Sequence, residues 1–405
     1  MRLPKKEIDR FVRRHLKKRE MYLRLLDRET SPLYIIEPDV LRDRARQFSR
    51  AFSEKFADCR CYFAVKSNNH PVVSRTVLEE GFGLDIASGK ELEMALGLGA
   101  GDILFTGPGK TGSELVLAVE NAGKVTILMD SFHEFQALEE IAAARKVSVR
   151  AGVRLCTNAT GLWRKFGILL DDLPGFFEAA DRCPHVDLQG LQFHTSWNLS
   201  PQAQSDFIGL LGKKLAACPA SILKKIRFVD IGGGYWPQPG EWLRAEPLVH
   251  DHRPAAAIET FAEELNRAVE NHLGFLLPGR IYIEPGRWIC NDAMHLMMTV
   301  VDKKAPDLVI TDAGINAIGW ERFETDYFPI LNLTRPSLQE KPCNICGSLC
   351  TPADNFGFSY FGEEIGSGDV LFVPCQGAYT YSLKQDFIKP APRVVILDKG
   401  VKDSG

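Results

Sequence analysis

Tyr62-Phe63-Ala64-Val65-Lys66-Ser67-Asn68 is the stretch on which the reading of this chain turns. A short run of apolar, strand-forming residues ends directly in a lysine. Burying an ammonium is costly unless it is paired or neutralised. Condensing the amine with a carbonyl, as a Schiff base, is one way to neutralise it. Lys66 is therefore a candidate carbonyl-binding amine at the end of a buried strand.

Outward from Lys66, β-rich runs alternate with amphipathic helical stretches. Leu33-Tyr34-Ile35-Ile36 predicts a strand, and residues 40–56 predict a helix carrying Leu41, Ala45, Phe48 and Phe52. A strand over 61–65 precedes a helix over 72–80. Leu84-Asp85-Ile86-Ala87 follows as a strand, and Ser88 caps a helix over 89–98. Further strands are expected at 103–105, 125–129, 147–155, 188–193, 226–231 and 281–284. This alternation predicts an α/β chain built on a parallel (β/α)8 barrel. Lys66, Asp85, His194, the turn Gly232-Gly233-Gly234 and Glu284 fall at the C-terminal ends of these strands, where barrel enzymes place their chemistry.

From about residue 285 the pattern changes. Runs at 308–310, 369–373 and 393–397 are β-rich with few helical stretches between them, which predicts a mostly-β, sandwich- or barrel-like C-terminal domain. The expected division is a helical extension over 1–31, a barrel over 32–284 and a β domain over 285–405. The strand at 33–36 is a candidate member of the β domain.

Composition sets the outer bounds. The chain has 405 residues, 45% hydrophobic and 25% charged, with a net charge of −3. These values suit a globular enzyme and give no reason to expect nucleic acid or membrane as partner. Lys5, Lys6, Arg10, Arg13, Arg14, Lys17, Lys18 and Arg19 make the N-terminus basic, and Leu3, Ile8, Phe11, Val12 and Leu16 interleave at helical spacing. That reads as an amphipathic helix docked on the body. No apolar segment follows these charges as in a secretory signal, and no run reaches membrane-spanning length. The ten cysteines read as reduced thiols of a cytoplasmic protein. Cys343-x-x-Cys346-x-x-x-Cys350 has half the spacing of a zinc site but no second pair, so no metal is expected.

Four motifs stand in order along the chain: Phe63 to Asn68, Gly190-Leu191-Gln192-Phe193-His194, Asp230-Ile231-Gly232-Gly233-Gly234, and Glu284-Pro285-Gly286-Arg287. Together, over about residues 32–390, they resemble the alanine racemase-like (fold-type III) enzymes that use pyridoxal 5′-phosphate (PLP). Within these, the chain is similar to the ornithine and diaminopimelate decarboxylase group. The resemblance implies a barrel plus a β domain, and a head-to-tail homodimer with shared active sites. It implies that Lys66 carries the cofactor, with Asp85 close by and His194 stacked on its ring. Gly232, Gly233, Gly234, Gly286, Arg287 and Tyr379 would cradle the phosphate. Glu284 would keep the ring nitrogen protonated, which deepens the electron sink. The alanine racemases have an arginine there, so glutamate favours decarboxylation. Cys350 would reach across from the partner subunit and protonate the carbon left by CO2. Arg287, Glu324, Cys350 and Thr351 would bind substrate, with Arg154 and Lys165-Phe166-Gly167 in support.

Three departures bear on the substrate. Thr351 follows Cys350 where the group usually has Asp or Glu. Thr195-Ser196-Trp197-Asn198 replaces the small residues usual after the histidine. Gly319 to Glu324 departs from the residues that diaminopimelate decarboxylases present to the distal end of their substrate; Glu324 would serve a distal amine, or Arg322 a distal carboxylate. The expected function is decarboxylation of a diamino acid or a substituted, non-standard amino acid in specialised, siderophore- or polyamine-type biosynthesis. Diaminopimelate decarboxylation in lysine biosynthesis is the alternative. A racemase, an epimerase or a non-catalytic PLP-binding regulator is a third reading.

Overall fold

Parallel strands covered on both faces read as near-continuous apolar runs, as Cys61-Tyr62-Phe63-Ala64 and Ile103-Leu104-Phe105 do. In the computed structural model, which describes residues 1–246, 248–276, 279–319 and 325–397, eight parallel strands close into a ring. They are β1 (Cys59–Ala64), β2 (Gly83–Ile86), β3 (Ile103–Phe105), β4 (Val125–Met129), β5 (Val149–Leu155), β6 (Val186–Phe193), β7 (Phe228–Asp230) and β8 (Arg280–Ile283). They are ordered as in sequence, and β8 returns to β1 with Ile281 opposite Cys59. Three of the helices between them begin at serine or threonine caps. The Ser88 and Ser131 hydroxyls accept from the Glu91 and Glu134 amides, and Thr111 and Glu114 form a reciprocal capping box.

The ring is filled by unequal partners. Tyr62, Leu104, Leu128 and Phe228 form one buried cluster, with Tyr282 packed against it, and Phe228 stacks on Tyr282 at 4.4 Å. They fit because glycines face them. A Cβ on Gly83 would lie 2.4 Å from the Tyr62 ring, and one on Gly190 would lie 1.9 Å from the Phe228 ring.

The second unit is built on β structure. Leu308–Thr311, Glu340–Cys346, Asn355–Phe361, Leu331–Asn332, Val370–Val373 and Met294–Ala305 succeed one another by hydrogen bonding, and the last pairs back on the first to close a six-stranded ring. Leu33–Ile36 lies antiparallel on Met294–Ala305 and carries Arg393–Ile396 in parallel on its other side.

The β unit is discontinuous in sequence, as the candidate strand at 33–36 allowed, and it takes more of the chain than that strand. The barrel unit is Arg42–Gln238 with Ala256–Ile289; the β unit takes Met1–Leu41, Pro239–Ala255 and the described residues from Cys290. The extension over 1–31 is thus not a separate layer. Ile8 and Val12 on the helix Lys5–Leu16, together with Tyr22, share one core with Leu33, Met297 and Phe372. The buried Glu37 carboxylate ties it down, accepting from the Tyr22 hydroxyl at 2.6 Å, from His295 Nε2 at 3.0 Å and from Lys18. Pro239–Ala255 holds the hairpin Gly240–Glu246 and Val249–Pro254, whose Trp242 enters the same core. No helix among the described residues is long and apolar enough to cross a membrane.

Because Gly190 has no room for a methyl, Gly190→Ala is expected to destabilise the barrel by about 1–3 kcal/mol, the usual cost of overpacking. The urea unfolding midpoint measures it. Adding Phe228→Leu to Gly190→Ala should recover part of the loss; an unchanged midpoint in the single variant would mean that the interior has slack.

Candidate active site

β1 runs from Cys59 to Ala64 and turns at once into Val65–Ser67, which sets Lys66 at the strand's C-terminal end. Asp85 stands opposite Ala64 on β2, so the two side chains start from neighbouring strand ends. Lys66 Nζ donates to Asp85 Oδ2 at 2.9 Å, and the Thr106 hydroxyl donates to Oδ1 at 2.8 Å. The lysine side chain is 36% exposed while the aspartate side chain is fully buried. Burial first, then the charge of Glu284, pushes the Asp85 carboxyl up to about 7, against the pull of Lys66.

On β6 the period of two puts Gly190, Gln192 and His194 on one side. Gln192 Nε2 donates to Glu284 Oε1 at 3.2 Å, and His194 Nδ1 lies 3.6 Å from Glu284 Oε2. The Gly233 N–H donates to the same Nδ1 at 3.2 Å. A backbone amide can only donate, so Nδ1 is an acceptor and the imidazole proton sits on Nε2. Burial holds His194 below the usual imidazole range, consistent with a neutral ring. Burial would raise Glu284 too, but the Lys66 charge and the polar groups around it, among them the Gln192 amide, outweigh it and hold the carboxyl below the usual carboxylate range.

The glycine turn follows β7. Gly232 and Gly234 have φ of 69° and 86°, a region open to glycine at no steric cost. The turn is also packed backbone to backbone: a Cβ on Gly233 would lie 2.1 Å from the Glu284 carbonyl oxygen. Asn198 laces the next loop to it, donating Nδ2–H to the Gly233 carbonyl at 3.1 Å and N–H to the Gly234 carbonyl at 2.9 Å. Trp197 takes φ of 54° there and leaves its side chain 46% exposed. Pro285 accepts from the Ala64 N–H at 3.0 Å, which brings the acidic motif against the Lys66 turn. Arg287 places its guanidinium over the Trp236 ring at 4.3 Å. Arg154 does the same over Phe166 at 4.5 Å, and the Gly167 N–H donates to Asp130 at 2.8 Å.

The structure thus gathers Lys66, Asp85, His194, Gly232, Gly233, Gly234, Glu284, Gly286 and Arg287 into the barrel unit. Cys350, Thr351 and Tyr379 belong to the β unit. Cys350 is exposed, on a loop shaped by Asp354, whose carboxylate accepts the Leu349 and Ile315 amides at 2.6 Å each. Tyr379 takes φ of 58° and ends the turn that begins at Gly377. Glu324 and Arg322 lie outside the described residues.

Gln192 and Thr106 were not singled out from sequence as members of the site. The signal was present for Gln192, two residues before His194 on one strand. Thr106 follows the last residue of β3 as Lys66 follows the end of β1, and carried no motif.

The donor set fits PLP. Among the described residues neither the Gly234 nor the Gly286 N–H has a protein partner, which leaves backbone donors for a phosphate. A buried ionised carboxylate suits a protonated ring nitrogen, and Lys66 suits the aldehyde.

Comparison with known proteins agrees. A family described as "Pyridoxal-dependent decarboxylase, pyridoxal binding domain" matches residues 41–291, more than half of the chain. Diaminopimelate decarboxylase of Aquifex aeolicus is 27% identical over 395 residues, spanning 91% of this chain and 87% of that protein. The 2-[(L-alanin-3-ylcarbamoyl)methyl]-2-hydroxybutanedioate decarboxylase of Staphylococcus aureus is 26% identical over 375 residues, 86% of this chain and 90% of that one. The crystal structure of diaminopimelate decarboxylase from Helicobacter pylori complexed with L-lysine shares the fold, with a TM-score of 0.80 at 22% identity over 93% and 94% of the two chains. With the lysine, the glycine turn and the buried acid converging on one barrel mouth inside the matched segment, the chain belongs to the fold-type III, PLP-dependent amino-acid decarboxylases.

Proposed function

We propose that this decarboxylase acts on a substituted or non-standard amino acid, a modified diamino acid among them, in specialised, siderophore- or polyamine-type biosynthesis. It works in the cytoplasm as a head-to-tail homodimer with shared active sites. The observation that carries the reaction type is Glu284, a buried carboxylate held by Gln192 in the same barrel mouth as Lys66.

The cofactor, when bound, supplies an electron sink for the pair left behind as CO2 departs. Lys66 would hold the cofactor through its aldehyde, and Asp85 orients the lysine nitrogen through the 2.9 Å hydrogen bond. His194 lends a neutral flat face to the ring. Glu284 keeps the ring nitrogen protonated, which strengthens the pull on the substrate's electrons. The N–H groups of Gly234 and Gly286, with Arg287 and Tyr379, would hold the phosphate. Cys350 Sγ gives a proton to the carbon that lost CO2, which makes the product an amine. A racemase needs a weaker sink, and Glu284 argues against it.

Thr351 supports the choice of substrate. It stands beside Cys350 with no charge, so it offers no ion pair to a distal ammonium. A site that lacks a polar partner for a buried substrate group discriminates strongly against that group. The Staphylococcus aureus relative, whose name describes a substituted amino acid, points the same way. Diaminopimelate decarboxylation is the second reading, favoured by the Aquifex aeolicus relative.

The deciding experiment is mass spectrometry of products from PLP-loaded protein offered diaminopimelate, lysine, ornithine, arginine, the acidic amino acids and N-substituted diamino acids. A substituted member should lose CO2 in preference to the rest; efficient turnover of meso-diaminopimelate or L-ornithine would sink this choice of substrate. Lys66→Ala should retain no cofactor after borohydride treatment and dialysis, and release no CO2. Cys350→Ala should lower kcat by about 10²–10⁴-fold, the range for a missing general acid. Mixing the two inactive variants should restore activity if each active site draws on both chains, and should not if it draws on one.

A further inference from the structure

Asp230 is a buried acid of the barrel mouth that the reaction above does not use. It ends β7, is 0% exposed, and precedes the glycine turn. Its Oδ1 accepts the Gly232 N–H at 2.8 Å. Its Oδ2 is buried and, among the described residues, no donor reaches it. An ionised carboxylate with a bare buried oxygen is among the costliest groups a protein can hold. A neutral acid solves this, with Oδ1 as the carbonyl oxygen and Oδ2 as the hydroxyl.

Glu284 has the complementary need. Its Oε1 receives one N–H from Gln192. The nitrogen facing its Oε2 is His194 Nδ1, which already accepts the Gly233 N–H and has no proton to give. Asp230 and Glu284 start from neighbouring strands, with Asp230 opposite Tyr282 and the Glu284 N–H bonded to the Gly232 carbonyl. Two carboxyls this close share a proton instead of both ionising. Burial, then the charge of Glu284, raises Asp230 well above the usual carboxylate range, while Glu284 goes the other way. Asp85 adds a further acid nearby, Lys66 and His194 are the basic groups, and Tyr235, fully buried, is a neutral phenol.

We propose that Asp230 is a positioning residue: a neutral carboxylic acid whose hydroxyl donates to Glu284 and so keeps the Glu284 carboxylate ionised for the cofactor's ring nitrogen. This rests on the assignment of Glu284 to that nitrogen. An amide has the same shape and also donates a proton, so asparagine should replace Asp230 where alanine should not.

The test is infrared difference spectroscopy of the wild type against Asp230→Asn, together with magnetic resonance of holoenzyme carrying cofactor isotope-labelled at the ring nitrogen. A protonated-carboxyl C=O stretch is expected at neutral pH in the wild type and is lost in Asp230→Asn. The ring nitrogen should stay protonated in Asp230→Asn. In Asp230→Ala the ratio of ring-protonated to unprotonated cofactor should fall about tenfold, the worth of one hydrogen bond to a charged group. Absence of the carboxyl band, or Asp230→Asn behaving as Asp230→Ala does, overturns the proposal, and Asp230→Asn decides it even where Asp230→Ala does not fold. Glu284→Gln separates the two levels. If it leaves ring protonation unchanged, the assignment of Glu284 has failed and the proposal with it. If it changes ring protonation while Asp230→Ala does not, only the role of Asp230 has failed.

Discussion

The site depends on one electrostatic constraint: three carboxyl groups, Asp85, Asp230 and Glu284, are buried together at one end of a barrel. Each would rather be solvated or neutral. The structure separates them by partner. Asp85 takes the lysine nitrogen and the Thr106 hydroxyl. Glu284 takes the Gln192 amide. Asp230 takes a single backbone N–H and no cation. The distribution of donors, more than the identity of the acids, decides which of them carries charge.

That distribution requires the backbone to come close, and glycine makes this feasible. The Gly233 N–H reaches the His194 ring only because the turn packs against the Glu284 backbone at a distance no Cβ could share. The contact fixes the imidazole tautomer, which in turn withholds a proton from Glu284. The glycines therefore act on the electrostatics of the site as well as on its shape. The same economy operates deeper in the barrel, where Gly83 and Gly190 make room for the Tyr62 and Phe228 rings.

Much of this was legible in the sequence, and what was not has a common cause. Strand and helix periodicity marked the barrel, because a parallel strand and its following helix are local patterns. Lys66, His194 and Glu284 stood out because a polar residue at the end of an apolar run is conspicuous. The assignment of Pro239–Ala255 and of the first helices to the β unit was not legible. It rests on pairings such as Arg2 with Asp251 and on the packing of Phe11 against Trp242, contacts between segments far apart in sequence. Asp230 was visible only as part of a glycine motif. Its distinguishing feature, an oxygen without a donor, exists only when the strands are assembled.

Reaction and substrate choice have different tolerance for change, and the residues divide accordingly. In the buried cluster the few donors are shared out among three acids, so replacing one acid or donor leaves another charge bare at a cost of several kcal/mol. Such a network can vary little while the reaction survives. The Cys350 loop is exposed and is shaped by the Asp354 carboxylate and main-chain amides, so Thr351 can differ from an acid without disturbing the loop's support. Trp197 is similar in kind. Its left-handed backbone is a strain that a tie such as Asn198 to the glycine turn can sustain, while its half-exposed ring is free of the buried network. On the proposed assignment of the site, substitutions at these two positions would alter what it accepts and leave the buried acids and Lys66 undisturbed.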